Sequence, residues 1–277
     1  MAREKRDEIR VWWDAAIDGI EYRMGVAVAE PYPKHWHEEY QLCLVTEGGG
    51  ELVYRGRHDT PAASLFIVHP GEVHSNSTDT GCSFRSAYID PGVFEELLSE
   101  SPTSQRSMPF FRDCMIFDTG LIKGFLALHC ASEAGATPLE KGSLLQDFLI
   151  DLMMRRANTG RALKEAGREP VVVDMIQNYI IDNLERNISL AELERLTGFS
   201  SFHINRVFSK AVGVPPHAFQ TQVRVAEAKR LIRLGHTIAE TAAAVGFADQ
   251  SHFHRHFRRL MKVTPGEYFR ASKNVQY

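Results

Sequence analysis

From Glu21 to Asp90 apolar and polar residues alternate in short runs: Tyr22–Ala29, Glu39–Thr46, Glu51–Arg55, Ser64–His69 and Ser83–Asp90. Turn formers separate them, at Pro31-Tyr32-Pro33, Gly48-Gly49-Gly50 and Pro70-Gly71. Successive side chains of a strand point to opposite faces, so short alternating runs broken by Gly and Pro predict an antiparallel sandwich or barrel. After Asp90 the period lengthens. Asp90-Pro91 caps a helix reaching about Ser99, a strand is expected over Cys114–Phe117, and Asp118 caps a helix towards Ser132. Pro138–Arg156 then sets Leu144, Leu145, Phe148, Leu149, Leu152 and Met153 at helical spacing. The extent of the stripe Leu145, Phe148, Leu149, Leu152 points to packing against a symmetry mate, with packing on the barrel as the alternative.

The polar stretch Asn158–Pro170, with two glycines and a closing proline, reads as an interdomain linker. A helix over Val171–Leu184 follows, and then the same pattern occurs twice. The first copy runs from Ile188 to Phe219: a capping box (Ser189, Glu192), a short apolar helix, Gly198-Phe199, then Ser200 to Phe208. The second runs from Thr237 to Phe269: a capping box (Thr237, Glu240), an Ala-rich helix, Gly246-Phe247, then Ala248 to Phe257. Pro216 and Pro265 stand eight residues after Phe208 and Phe257. Two helices joined by a tight glycine turn, the second bearing polar side chains and an Arg, describe a helix-turn-helix. Between the copies, Pro216–Leu234 forms one helix closed by Gly235, about 28 Å long at 1.5 Å per residue. That length holds two recognition helices near one turn of DNA apart, about 34 Å.

Composition adds a charge asymmetry. From Pro170 onward 14 Lys and Arg stand against 9 Asp and Glu, whereas the rest carries 18 against 26, within an overall net charge of −3. The basic surplus coincides with the repeats and suits a polyanion. Cys43, Cys82, Cys114 and Cys130 lie far apart without metal-ligand spacing and read as reduced thiols. The charged N-terminus has no apolar signal region, and no run approaches the roughly 18 apolar residues of a membrane span, so a cytoplasmic protein is expected.

In the first copy Ile204, Val207 and Phe208 share a face, expected to bury against Leu193, Leu196 and Phe199. Ser201, Phe202, Asn205 and Arg206 lie on the other side. The second copy has one extra residue in its turn, so its equivalents are Gln250, Ser251, His254 and Arg255, with Phe253 and Phe257 inward. Arg can bond guanine O6 and N7 together, Asn or Gln can do so with adenine, and an exposed Phe can meet a thymine methyl. A lone exposed Arg is commonly a solvated or phosphate-bound group; the same polar face on both helices argues for base contact. Phe202, a large aromatic on the outward side, argues against a bare scaffold.

These residues resemble the AraC/XylS family of bacterial transcription regulators. The second copy carries the resemblance best, through Ile238-Ala239-Glu240, Gly246-Phe247, Gln250-Ser251-His252-Phe253, Arg255, Phe257 and Pro265 to Tyr268-Phe269-Arg270. His254 is a less usual residue at its position. More loosely, His35-Trp36-His37-Glu38-Glu39-Tyr40-Gln41 with Gly48 and Pro70-Gly71-Glu72-Val73-His74 is similar to the family's cupin-like sensor domain. The resemblance implies a jelly-roll barrel that binds a small effector, following helices that mediate homodimerisation, two helix-turn-helix units in successive major grooves, and RNA polymerase as a partner.

His35, His37 and Gln41 share strand parity, so all three are expected to face the barrel interior with His74. Metal-binding cupins use two histidines, a Glu four residues after the second, and a later histidine. Gln41 stands where that Glu would be and is a poor, neutral ligand, although three His can hold Zn2+ or Fe2+ and Glu39 shares the parity. Three readings stay open: a metal site on His35, His37 and His74, an effector pocket lined by His35, His37, Gln41 and His74, or a structural barrel mouth. No nucleophile–base pair, phosphate loop or dinucleotide fingerprint is visible, so neither enzymic activity nor a cofactor is expected.

The expectation is an α+β multidomain chain: a cupin-like effector and dimerisation domain over 1–157, a linker over 158–170, and an all-α double helix-turn-helix domain over 171–277. Its function is that of a promoter-binding regulator, an activator by family analogy, controlled by a small-molecule effector. The alternative is a metal-dependent cupin enzyme carrying a DNA-binding domain.

Overall fold

The computed structural model describes residues 8–15, 17–78, 80–99, 108–133, 136–157 and 168–273, the side chains of 168–170 and of Phe202 excepted. Most of the expected linker, 158–167, lies outside the described residues. The chain divides into two compact units, one rich in strands and one helical.

The strands are β1 (Glu8–Asp14), β2 (Ile17–Val28), β3 (Tyr32–His35), β4 (Tyr40–Gly48), β5 (Glu51–Tyr54), β6 (Arg57–Asp59), β7 (Leu65–Val68), β8 (His74–Ser77), β9 (Cys82–Ile89) and β10 (Met115–Ile116), all of them in the first unit except β3. One sheet has the order β1-β2-β9-β4-β7-β10 and the other β3-β8-β5-β6. Three helices accompany them: α1 (Pro91–Ser99), α2 (Thr119–Glu133) and α3 (Pro138–Arg156).

Strand alternation builds two cores. On one face of the larger sheet Tyr22, Leu42, Ile67 and Ala87 pack against Phe94 of α1, Phe125 and Leu128 of α2, and Phe148, Leu149 and Leu152 of α3. On the other face Cys43, Val45, Phe66, Val68 and Phe84 meet Leu52 and Tyr54 of the smaller sheet. The parity that sends Leu42 and Leu44 outward therefore sends Cys43 and Val45 inward. Each well-buried aliphatic or aromatic side chain here contributes roughly 1.5–3 kcal/mol.

The stripe on α3 corrects an expectation. Leu145, Phe148, Leu149 and Leu152 are 9%, 3%, 1% and 0% exposed within a single chain, so they have no surface left for a symmetry mate. They are core because α2 and the sheet meet α3 on that side. The large apolar residues α3 leaves exposed are Leu139, Ile150 and Met154.

The helical unit runs α4 (Arg168–Asp182), α5 (Leu190–Thr197), α6 (Ser201–Val212), α7 (Pro216–Arg233), α8 (Ile238–Ala244), α9 (Gln250–Met261) and α10 (Pro265–Lys273). Buried in it are Ile176 and Ile180 of α4, Leu193, Ile204 and Phe208 of the first repeat, Phe219 and Ile232 of α7, and Phe253, Phe257 and Tyr268. Among the described residues no helix is long and apolar enough to cross a membrane.

Candidate nucleic-acid interface and barrel site

Each repeat is built from the same local instructions. Ser189 Oγ accepts from the Glu192 N–H while the Glu192 carboxylate accepts from the Ser189 N–H, which fixes the start of α5. Thr237 and Glu240 do the same for α8. Gly198 and Gly246 close the first helices with φ of +73° and +77°, a conformation that suits glycine. Ser200 then caps α6, and Asp249 caps α9 by accepting the His252 N–H at 2.7 Å.

Counted from Ser200 and Asp249, the two recognition helices align residue for residue. Ile204, Val207 and Phe208 are buried on α6, and Phe253, Phe257 and Met261 on α9. Outward, Arg206 is exposed with Ser201 and Asn205 half-exposed, while Gln250, Ser251, His254 and Arg255 are all exposed. The side chain of Phe202 lies outside the described residues. Lys210 of α6 and Arg258 and Arg259 of α9 extend the basic surface in the last turns.

Phe199 departs from expectation. It is 38% exposed, with its ring stacked on His203 at 4.6 Å, whereas its counterpart Phe247 is buried against Phe253. The first turn is one residue shorter, and Phe199 swings out over α6 instead of under it.

The 18 residues of α7 span about 27 Å and join the repeats. A residue that sequence reasoning missed fixes their relation. Arg224 is 7% exposed, and its Nε donates to the Leu184 carbonyl at 2.7 Å and its Nη2 to Asn187 Oδ1 at 3.2 Å. Gln220 Nε2 donates to the Arg186 carbonyl at 2.7 Å. A Cβ on Gly246 would stand 2.0 Å from the Glu185 carbonyl oxygen. The turn between α4 and α5 is thus clasped by α7 on one side and abutted by the turn of the second repeat on the other. The sequence signal was an Arg flanked by Val223 and Val225 amid an otherwise buried helix face.

In the barrel Gln41 stands opposite Tyr88 on β9, and Tyr88 opposite Glu21 on β2, so all three share a face. Gln41 Nε2 donates to the Tyr88 hydroxyl at 3.0 Å. His37 Nε2 lies 3.2 Å from Gln41 Oε1, and His37 Nδ1 lies 2.7 Å from the Glu39 carbonyl oxygen. His74 meets the His37 ring edge-on at 5.0 Å, and Tyr88 does so at 5.1 Å. The group is buried, with His37, Gln41 and His74 at 8%, 7% and 3% exposure. Beneath it the Arg23 guanidinium lies 4.2 Å from the Tyr88 ring centre and bonds Glu21 at 2.7 Å. Burial raises the Tyr88 hydroxyl well above the ordinary tyrosine range.

The strand-parity argument does not hold for the histidines. β3 ends at His35 and β4 begins at Tyr40, so a loop, and not a strand, carries His37. His35 closes β3 with Nδ1 2.8 Å from the Pro33 carbonyl and its ring stacked on Tyr32. Among the described residues no group of three or more His, Cys, Asp and Glu could hold a metal ion. Both ring nitrogens of His37 face protein oxygens. The sequence reading also missed Arg23 and Tyr88.

A second polar group lies at Glu72. Burial pushes its carboxyl up, but hydrogen bonds from Arg55 and Tyr54 prevail and hold it below the usual range. Nearby His69 accepts the Phe111 N–H at 3.0 Å, and burial, helped by Arg55, lowers its pKa to about 4.

Comparison with known proteins agrees with this architecture. Residues 27–149 match the model of an AraC-like ligand binding domain and residues 193–271 that of a helix-turn-helix domain. YbfI, an uncharacterized HTH-type transcriptional regulator of Bacillus subtilis (strain 168), is 25% identical over 228 residues, 81% of this chain and 82% of its own. The transcriptional activator NphR of a Rhodococcus species is 24% identical over 250 residues, 83% of this chain and 70% of its own. ToxT of Vibrio cholerae strain SCE256 shares the fold, with a TM-score of 0.54 at 14% identity over 96% of both chains, and its wild type has also been solved with an unsaturated fatty acid bound. Together the two matched segments take in most of both units, and the chain belongs to the AraC family of transcription regulators.

Proposed function

We propose that the chain is an effector-controlled promoter-binding protein, an activator, in which residues 1–157 sense and pair, 158–170 link, and 171–277 bind DNA. The observation that carries the reading is the equivalent polar face on the two recognition helices. Ser201, Phe202, Asn205 and Arg206 read one major-groove segment, and Gln250, Ser251, His254 and Arg255 the next. The effector sits among His37, Gln41 and His74, with Tyr88 and the Arg23–Glu21 pair completing a polar end above an apolar interior. A small organic molecule with a carboxylate or hydroxyls and an apolar body suits that lining. Such a molecule acts through its differential affinity for two states of the protein.

The protein works as a cytoplasmic homodimer without enzymic activity, and recruits RNA polymerase to the promoters it binds. Gln41 in the place of a carboxylate ligand and the engaged nitrogens of His37 speak against a metal-dependent enzyme. The test is to sequence the genomic DNA fragments the protein retains, with and without candidate metabolites. A shared sequence motif whose occupancy shifts with one metabolite is the expected result; retention without a motif refutes the reading.

A further inference from the structure

The helix α9 carries two histidines four residues apart, His252 and His256. Residues at that spacing lie one above the other on a helix. Here one Nε2 donates a hydrogen bond to the other at 2.9 Å, with ring centres at 4.6 Å and planes at 84°. Both rings are half-exposed, on the flank between the buried Phe253 and Phe257 and the exposed Arg255. The Phe247 ring backs them at 5.5 Å and 5.9 Å.

We propose that His252 and His256 form a chelating site for one divalent transition-metal ion of the Cu2+ or Ni2+ class, with water completing its coordination. Imidazole nitrogens bind such ions at about 2.0–2.1 Å. Two bonds of that length at a right angle end about 2.9 Å apart, against about 3.3 Å at a tetrahedral angle. The two nitrogens, now joined by a hydrogen bond, already stand as far apart as neighbouring corners of a square-planar or tetragonal site, so an ion of the kind Cu2+ and Ni2+ form with nitrogen and oxygen ligands would replace the shared proton with little movement of the rings.

The fold does not call for the pair. The matching positions of the first repeat hold His203 and Val207, and His203 lies flat against Phe199, its plane 19° from that ring. Arg255 and Arg259 stand beside His256 on the same helix. Those same arginines oppose an incoming cation, which selects the ion that imidazole holds most strongly; in the divalent series that is Cu2+. A bound ion would tie the first turn of α9 to the second, one residue away from Arg255.

The test uses the full-length protein freed of metal and titrated with Cu2+ and, separately, Ni2+ at micromolar concentration. Paramagnetic resonance reports the nitrogen ligands, and thermal melts report stability. Wild type is expected to take one Cu2+ per chain with two coordinated nitrogens and to melt higher with the ion than without. His256→Val, the residue of the first repeat, and His252→Gln should each bind at least tenfold more weakly and lose that rise while melting normally without metal. His37→Ala should keep the site. No uptake by wild type, unchanged binding in His256→Val and His252→Gln, or loss of the ion in His37→Ala would each overturn the proposal.

Discussion

Arg206 and Arg255 occupy the same position on α6 and α9, and each is exposed beside residues able to reach base edges. Replacing either by Ala should weaken operator binding by about 1–3 kcal/mol and leave the melting curve unchanged. Titration against a retained fragment measures this, and wild-type affinity in both variants would move the reading face elsewhere. Gly246 acts through space instead of charge. Gly246→Ala sets a Cβ against the Glu185 carbonyl and a side chain at positive φ, a combination expected to cost about 2–3 kcal/mol in urea unfolding. The imidazole of His37 is the matching test for the barrel. His37→Ala should abolish the effector-dependent change in DNA binding and keep basal affinity within threefold, about 0.7 kcal/mol. A full effector response in that variant would put the sensing site among other residues.

Elements differ in how openly the sequence announces them. The helix over Pro138–Arg156 and both repeats were legible because each has an N-terminal cap and an apolar period, and the repeats add a glycine turn. The strand β8 was not, since His-Ser-Asn-Ser has no apolar residue to alternate, and β6 is only three polar residues beyond the Arg55-Gly56 turn. Likewise β3 holds Pro33, which argues against a strand until its edge position is known. What a stripe packs against was also hidden, because an apolar face on α3 reads alike whether it meets the chain's own sheet or a second copy. Its burial gives a changed expectation. Leu149→Ala should cost about 2–5 kcal/mol of stability, and Leu145→Asp together with Leu149→Asp should yield misfolded protein in place of a soluble monomer. Circular dichroism and light scattering distinguish the two outcomes.

For the molecule as a whole, acid sensitivity follows from its buried imidazoles. His129 of α2 is fully buried, with Nε2 3.1 Å from the Arg23 carbonyl and Nδ1 facing Arg85. Burial foremost lowers its pKa to about 4, as it does for His69. The unfolded chain takes up these protons near pH 6.5, whereas the folded chain does so only near 4. Stability from this source is therefore complete above about pH 6.5, is lost as pH falls towards 4, and is constant below that. Each imidazole contributes on the order of 3 kcal/mol at most. Urea midpoints measured from pH 7 to 4 should fall, and His129→Gln should flatten part of the slope; a flat profile in wild type refutes it.

The repeats follow one another along α7 and are not copies: Ser201 corresponds to Gln250, Asn205 to His254, and the second turn is one residue longer. Two unlike readers strung head to tail have no twofold axis between them. A site read by one such pair therefore has a front and a back, and turning the DNA element around relative to a gene would reverse what the rest of the protein faces. On the proposed reading, direction along the chromosome is something this chain should distinguish even with a single protomer bound.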